Sequence, residues 1–163
     1  MDRVRLSLLD LAVALFVATL LVTALTHCGG DSEPAEPVVL ASRALTPGAL
    51  NPEVTQATIG RTICVHGWTR TVRPPSSYTS QLKVRQLVEY GLAGSPSAYQ
   101  EDHLVSLELG GHPTDPRNLW PEPYPRAAQV DRIENELNDK VCSGAMSLAD
   151  AQRTEANLKH EHG

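Results

Sequence analysis

A chain of 163 residues has room for one modest domain beside an export segment and excludes two independent cores. A formal net charge of −5 speaks against a broad nucleic-acid-binding surface. Three cysteines without a Cys-x-x-Cys exclude a zinc ribbon and a thioredoxin-type site.

The chain opens on Met1-Asp2-Arg3-Val4-Arg5, and an apolar run follows over residues 6–25, broken mainly by Ser7, Asp10 and threonines. Basic residues before an apolar block are the signature of a secretory signal. Roughly 20 apolar residues also suffice to span a bilayer. Either way Arg3 and Arg5 stay inside, and the remainder is expected outside the cytoplasm, in the periplasm, the envelope or the medium. The run ends at Leu25-Thr26-His27-Cys28-Gly29-Gly30. That cysteine resembles the lipobox of bacterial lipoproteins, with His27 departing from the small residue that normally precedes it. Lipidation of Cys28, ordinary cleavage and a retained membrane anchor therefore all stay open for residues 1–28.

Residues 29–41 read as a flexible linker, because 31–37 hold Asp, Ser, Glu and Pro with almost nothing apolar. Residues 42–163 are left for the folded domain. Within it, Cys64 and Cys142 form an even pair in an oxidising compartment and are expected to be a disulfide. Such a bond closes a loop of roughly eighty residues and contributes ~2–4 kcal/mol.

Along the domain, residues 46–52 are punctuated by Pro and Gly and predict an extended arm or turn. A short helix is expected over 54–59, then a β-branched strand over 62–65 and an irregular piece over 70–75. Leu82, Leu87 and Val88 among Lys83, Arg85 and Gln86 predict an amphipathic helix over 80–90. A strand follows over 99–109, broken by Gly110 and Gly111, and 112–117 is a loop. Residues 118–120 predict a second short strand, stopped by Pro121, Pro123 and Pro125. Val130, Ile133, Leu137 and Val141 recur at helical spacing, giving a helix from 126 or 127 to 141 with Gly144 just beyond it. Ser147 is placed to cap a last helix over 148–158, and His160 and His162 fall in a tail expected to fray. The order is strand, glycine loop, strand, helix, in an α+β domain.

The chemistry is concentrated in Glu101-Asp102-His103-Leu104-Val105-Ser106-Leu107-Glu108-Leu109-Gly110-Gly111 and in Asp115-Pro116-Arg117-Asn118-Leu119-Trp120-Pro121. This pattern resembles the HNH, or His-Me finger, nucleases, whose first half reads Asp-His-x-x-Pro-Leu-x-x-Gly-Gly and then Asn-Leu. It is closer still to a group of small exported bacterial proteins that also carry Thr-Pro-Gly-Ala-Leu-Asn-Pro, Ile-Cys-Val and Gly-Trp-Thr, as this chain does upstream. The resemblance to that group covers most of the mature chain, and the nuclease motif proper covers residues 99 to 140.

The resemblance implies a ββα-metal core with flanking helices and metal-dependent hydrolysis of phosphodiester bonds in DNA or RNA. His103 would be the general base, suited to it by a pKa near working pH. Asp102 would hold a divalent cation, Mg²⁺ with Mn²⁺ or Zn²⁺ as alternatives, which offsets the charge building on phosphorus. Asn118 would hydrogen-bond across the loop and hold His103, and Gly110 and Gly111 would permit the tight return. Two positions depart from the pattern. Ser106 stands where the family has proline, and no histidine occurs between His112 and His160 to supply the third position on the helix. Asp131, Glu134 and Asn135 share one helical face at i, i+3, i+4, and one of them would complete an oxygen site for the ion.

Arg61, Arg70, Arg73, Lys83 and Arg85 precede the motif, either as a phosphate-binding stripe or as an ordinary solvated face. His66 and His112 read as structural, and Trp68 and Trp120 as core anchors. The alternative to a nuclease is a non-catalytic envelope protein or lipoprotein that keeps the ββα scaffold.

Overall fold

Four α-helices and a two-stranded antiparallel sheet form the framework of residues 38–163, the part of the chain that the computed structural model describes. The expectations for residues 1–28, Cys28 included, and for the linker up to residue 37 lie outside the described residues. Helix α1 spans Trp68–Val72, α2 Ser76–Glu89, α3 Tyr124–Cys142 and α4 Leu148–Glu161, while strand β1 is Tyr99–His103 and β2 is Leu119–Pro123. The domain is thus of mixed α and β structure, and α3 follows β2 directly. No helix among the described residues is long and apolar enough to cross a membrane.

The two strands pair with Asp102 opposite Trp120 and Gln100 opposite Glu122. Leu104 N donates to Asn118 O at 2.8 Å just past the ladder. By alternation, the Asp102–Trp120 and Gln100–Glu122 pairs also take hydrogen-bonded positions, while Pro121 and Pro123 take the alternate, non-hydrogen-bonded ones. There a proline's missing N–H faces the outer edge, so β2 runs through two prolines that were expected to stop it.

One apolar cluster gathers Val54, Ile63, Val105, Leu109, Leu137, Val141, Leu148 and Ala151, and a second gathers Ala41, Leu104 and Trp120. Both include residues of the segment between the strands, which is where β1 departs from expectation. Val105, Leu107 and Leu109 alternate with polar residues and read as strand, yet Leu104 is buried as well, so burial here has no period of two. The chain leaves the sheet after His103 and makes a 3₁₀ turn, Leu107–Leu109, ended by Gly110 in the left-handed region at φ +76°.

Residues 46–51 lie along this segment as the expected extended arm. Gly48 N donates to Arg117 O at 2.9 Å, Asn51 N to Gly110 O at 2.9 Å, and His112 N to Ala49 O at 2.8 Å. The expected strand over 62–65 is instead a series of turns, with Cys64 N donating to Ile59 O at 3.0 Å. Cys64 is tied to Cys142 at the end of α3 by the expected disulfide, with a Cα–Cα distance of 5.5 Å. The helix expected over 54–59 is likewise turns followed by a 3₁₀ stretch, Ile59–Arg61. Residues 70–72, expected to be irregular, complete helix α1.

The C-terminal end does not fray. Ser147 caps α4 by accepting from Asp150 N, and the helix runs on to Glu161. His160 is buried, with its Nε2 2.9 Å from Thr46 O, and Arg126 Nε donates to the Gly163 carbonyl. Ala41 N donates to Lys159 O at 3.1 Å, so the packed unit takes in the residues just before Ser42.

Candidate active site

Alternation along β1 sends Asp102 and His103 to opposite faces of the sheet. His103 is the last residue of the strand, however, and both residues line one cleft of about 380 Å³. Arg73, Gln100, Glu108, Asp131, Glu134 and Asn135 also border this cleft.

His103 is buried, and its Nε2 lies 3.0 Å from the Pro113 carbonyl. A carbonyl only accepts, so Nε2 carries the proton and Nδ1 keeps the lone pair. Burial lowers the pKa of the ring; the Asp102 charge and the Pro113 hydrogen bond oppose this without reversing it. His103 is therefore a neutral imidazole with one nitrogen ready to accept a proton.

Asn118 reaches His103 at one remove. Fully buried, it accepts from Val105 N at 3.0 Å through Oδ1 and donates through Nδ2 to Val105 O at 3.0 Å and to His112 O at 3.1 Å. It thereby clamps both limbs of the loop between the strands, and the residue after His112 carries the carbonyl that orients His103. Gly111 makes the closure possible, because a Cβ there would lie 1.7 Å from Val105 O and 2.6 Å from Asn118 Nδ2. His112 Nδ1 accepts from Asp115 N at 3.0 Å, a structural role within the loop.

On the other face of β1, Asp102 meets a residue that sequence reasoning missed. Lys159 is fully buried, and its Nζ donates to Asp102 Oδ2 at 2.8 Å, Glu134 Oε1 at 2.8 Å and the His103 carbonyl at 2.5 Å. Glu155 Oε1 stands 3.4 Å away. Burial alone would depress the lysine, but the carboxylates of Asp102, Glu134, Glu155 and Glu122 hold its pKa well above the usual value. Burial opposes ionisation of Asp102 too, and the Lys159 ammonium outweighs it, holding this carboxyl below its ordinary range.

The remaining acids of the cluster go the other way. Burial raises Glu134 and raises Glu155 well above normal, and pushes Glu122 up to about 8. Glu122 Oε1 has no donor facing it, and a retained proton turns it into a donor toward Asp102.

These contacts bear on the expected metal ligands. Asp102 and Glu134 are both engaged by Lys159, while Asp131 and Asn135 are exposed at the cleft, where Asn135 Nδ2 donates to Asp131 O at 2.7 Å. Among the described residues, no group of three His, Cys, Asp or Glu side chains stands open to a metal ion, and where Asp102, Glu134 and Glu155 approach one another the Lys159 ammonium lies between them. The residues as arranged do not fit a divalent cation at Asp102. Of the basic residues, Arg73 borders the cleft, and Lys83 instead donates to Tyr99 O at 2.7 Å. Arg70 packs beside Gly67, and Arg85 is exposed on α2. Of these four, Arg73 is the one that lines the cleft.

A signal for Lys159 exists in the sequence. Leu148 and Ala151 mark the inner face of α4, and the helical period carries that face on to Gln152, Glu155 and Lys159, all buried. Glu155 and Lys159, four apart, otherwise read as an ordinary solvated ion pair.

No family model matches this chain, and comparisons with curated proteins and with solved structures likewise find no match. The site itself is therefore what bears on function.

Proposed function

We propose that this chain is an exported nuclease of the ββα type that hydrolyses phosphodiester bonds in DNA or RNA, with His103 as the general base. The observation that carries the reading is the state of His103: neutral, fixed by the Pro113 carbonyl through Nε2, and lining a polar cleft that Arg73 borders. A neutral imidazole suits the removal of a proton from an attacking water. Arg73 offers a guanidinium for a phosphate oxygen. The order β1, glycine loop, β2, α3, with Asn118 closing the loop, supports the ββα reading. The Cys64–Cys142 disulfide is in keeping with export into an oxidising compartment, with or without attachment to a membrane through residues 1–28.

The resemblance adds a divalent cation, Mg²⁺ or alternatively Mn²⁺ or Zn²⁺, which when bound would polarise the phosphoryl group. With Asp102 and Glu134 given over to Lys159, no step is assigned to it. That same engagement favours a second reading, a non-catalytic envelope protein that retains the scaffold.

The test is cleavage of plasmid DNA and of RNA by the oxidised full-length chain with Mg²⁺, Mn²⁺ or EDTA, beside His103→Ala. Cleavage that disappears in the folded variant supports the nuclease. A folded native protein that cleaves neither substrate under any condition leaves the envelope reading in its place.

A further inference from the structure

We propose that Lys159 is the resident cation of this centre: its ammonium fills the oxygen cage made by Asp102, Glu134, Glu155 and the His103 carbonyl, and the native chain binds no divalent ion there. The proposal goes beyond the nuclease reading, since it concerns which cation the cage holds and stands whether or not the cleft is catalytic.

The stoichiometry of the cage is the first support. An ammonium has three N–H donors, and Lys159 places them against three oxygens at 2.8, 2.8 and 2.5 Å, with a fourth at 3.4 Å. The oxygens come from β1, α3 and α4. Carboxylates plus a backbone carbonyl are also the donors a hard divalent ion selects. The cage therefore has the chemistry of an ion site and already contains a positive charge.

Burial is the second support. Lys159 has no solvent-exposed surface, and its stem comes from the inner face of α4, one turn beyond Glu155. An incoming ion would either sit against the ammonium, where like charges repel strongly at low dielectric, or drive a buried charge out of its paired position. Through the His103 carbonyl the ammonium also fixes the backbone from which the His103 side chain departs. Lys159 is accordingly a positioning residue, with no surface through which to touch a substrate.

The experiment uses Mn²⁺ as the probe and the oxidised full-length chain, read by paramagnetic broadening of backbone amide signals. For the native protein, the amides of Asp102, His103, Glu134 and Glu155 should show no saturable broadening. Saturable broadening centred on those amides would overturn the proposal. Lys159→Met keeps the length of the stem and removes the charge, leaving the acids without a cation. It should gain saturable Mn²⁺ binding at the same amides, with apparent affinity raised roughly tenfold or more. A folded Lys159→Met that gains none also overturns it. The native measurement decides on its own if the variant does not fold. Because the readout is ion binding, the nuclease reading survives or fails separately.

Discussion

The backbone amide of Ser106 lies 3.0 Å from each carboxylate oxygen of Glu155, and both residues are buried. The HNH pattern has proline at this position, and a proline has no N–H to give. The departure at Ser106 and the polar face of α4 are therefore two parts of one arrangement. Glu155 needs a donor in the core, the loop after His103 supplies it, and the same helix turn presents Lys159 to Asp102.

Ser106 has φ −62° and ψ 157°, a φ that proline also adopts. Ser106→Pro thus removes the donor without forcing that torsion, leaving the Glu155 carboxyl short of a partner at a cost of about 1–3 kcal/mol. Ser106→Ala keeps the amide and deletes a hydroxyl that has no partner, so it should stay within about 0.5 kcal/mol of the native protein. Urea unfolding of the two variants checks this. Equal stabilities would mean that the Glu155 contact contributes nothing.

The acidity of His103 makes a second prediction, conditional on cleavage being seen. Burial lowers its pKa, with the Asp102 charge and the Pro113 bond opposing incompletely. A general base must be neutral, so the rate should rise with pH along a limb lying below the ordinary histidine value of ~6.5 and be level above neutrality. A pH–rate profile measures this directly. A limb well above pH ~7 would assign the base to another group.

Much of this centre could be read from the amino-acid sequence, and what could not has a common cause. Asp102-His103, the glycine pair and Asn118 were legible because each is defined by local geometry. Gly111, for example, sits where any Cβ would strike the Val105 carbonyl. Helices α2 and α3 and the Ser147 cap followed from period and end signals. The strand expected over 62–65 was not formed, because among the described residues no partner strand lies beside it and the disulfide and turn hydrogen bonds decide its path. β-Propensity reflects such neighbours more than the backbone itself. Lys159 was hidden for a similar reason. Its three hydrogen-bond partners lie on β1 and α3, far along the chain, and locally only its place on the inner face of α4 separates it from a surface lysine.

The loop closure gives a third prediction. Gly111→Ala would place a methyl group 1.7 Å from Val105 O and drive apart the limbs that Asn118 holds. The expected cost is about 3 kcal/mol or more, among the larger effects of a single substitution. Gly144→Ala is the control. Its φ of +79° strains an alanine, but nothing lies within 4 Å of the new Cβ, so the cost should be about 1 kcal/mol. Thermal unfolding of both variants settles the comparison, and a Gly111→Ala protein as stable as Gly144→Ala would contradict the close approach.

The fourth prediction concerns stability against pH. Burial pushes Glu101 and Glu122 up to about 8, from an ordinary carboxyl value of 4.5. Between those values the folded chain retains protons that the unfolded chain has released. The stabilisation is thus complete below 4.5 and is lost as pH rises through about 8. His103 works in the opposite sense, because its folded pKa is depressed and its contribution is lost only as pH falls below ~6.5. Comparing about pH 7 with about pH 9 therefore isolates the acids. Native stability should decline over that interval by about 1 kcal/mol or more. Glu122→Gln keeps an oxygen to accept from Gln100 Nε2 and an N–H₂ to face Asp102, but has no proton to lose. Its decline should be visibly shallower, with Glu101 and the other raised acids, Glu134 and Glu155, left to titrate. Parallel declines in urea midpoint for the two proteins would show that Glu122 is already ionised at neutral pH, and that Lys159 balances one more charge than the geometry assigns it.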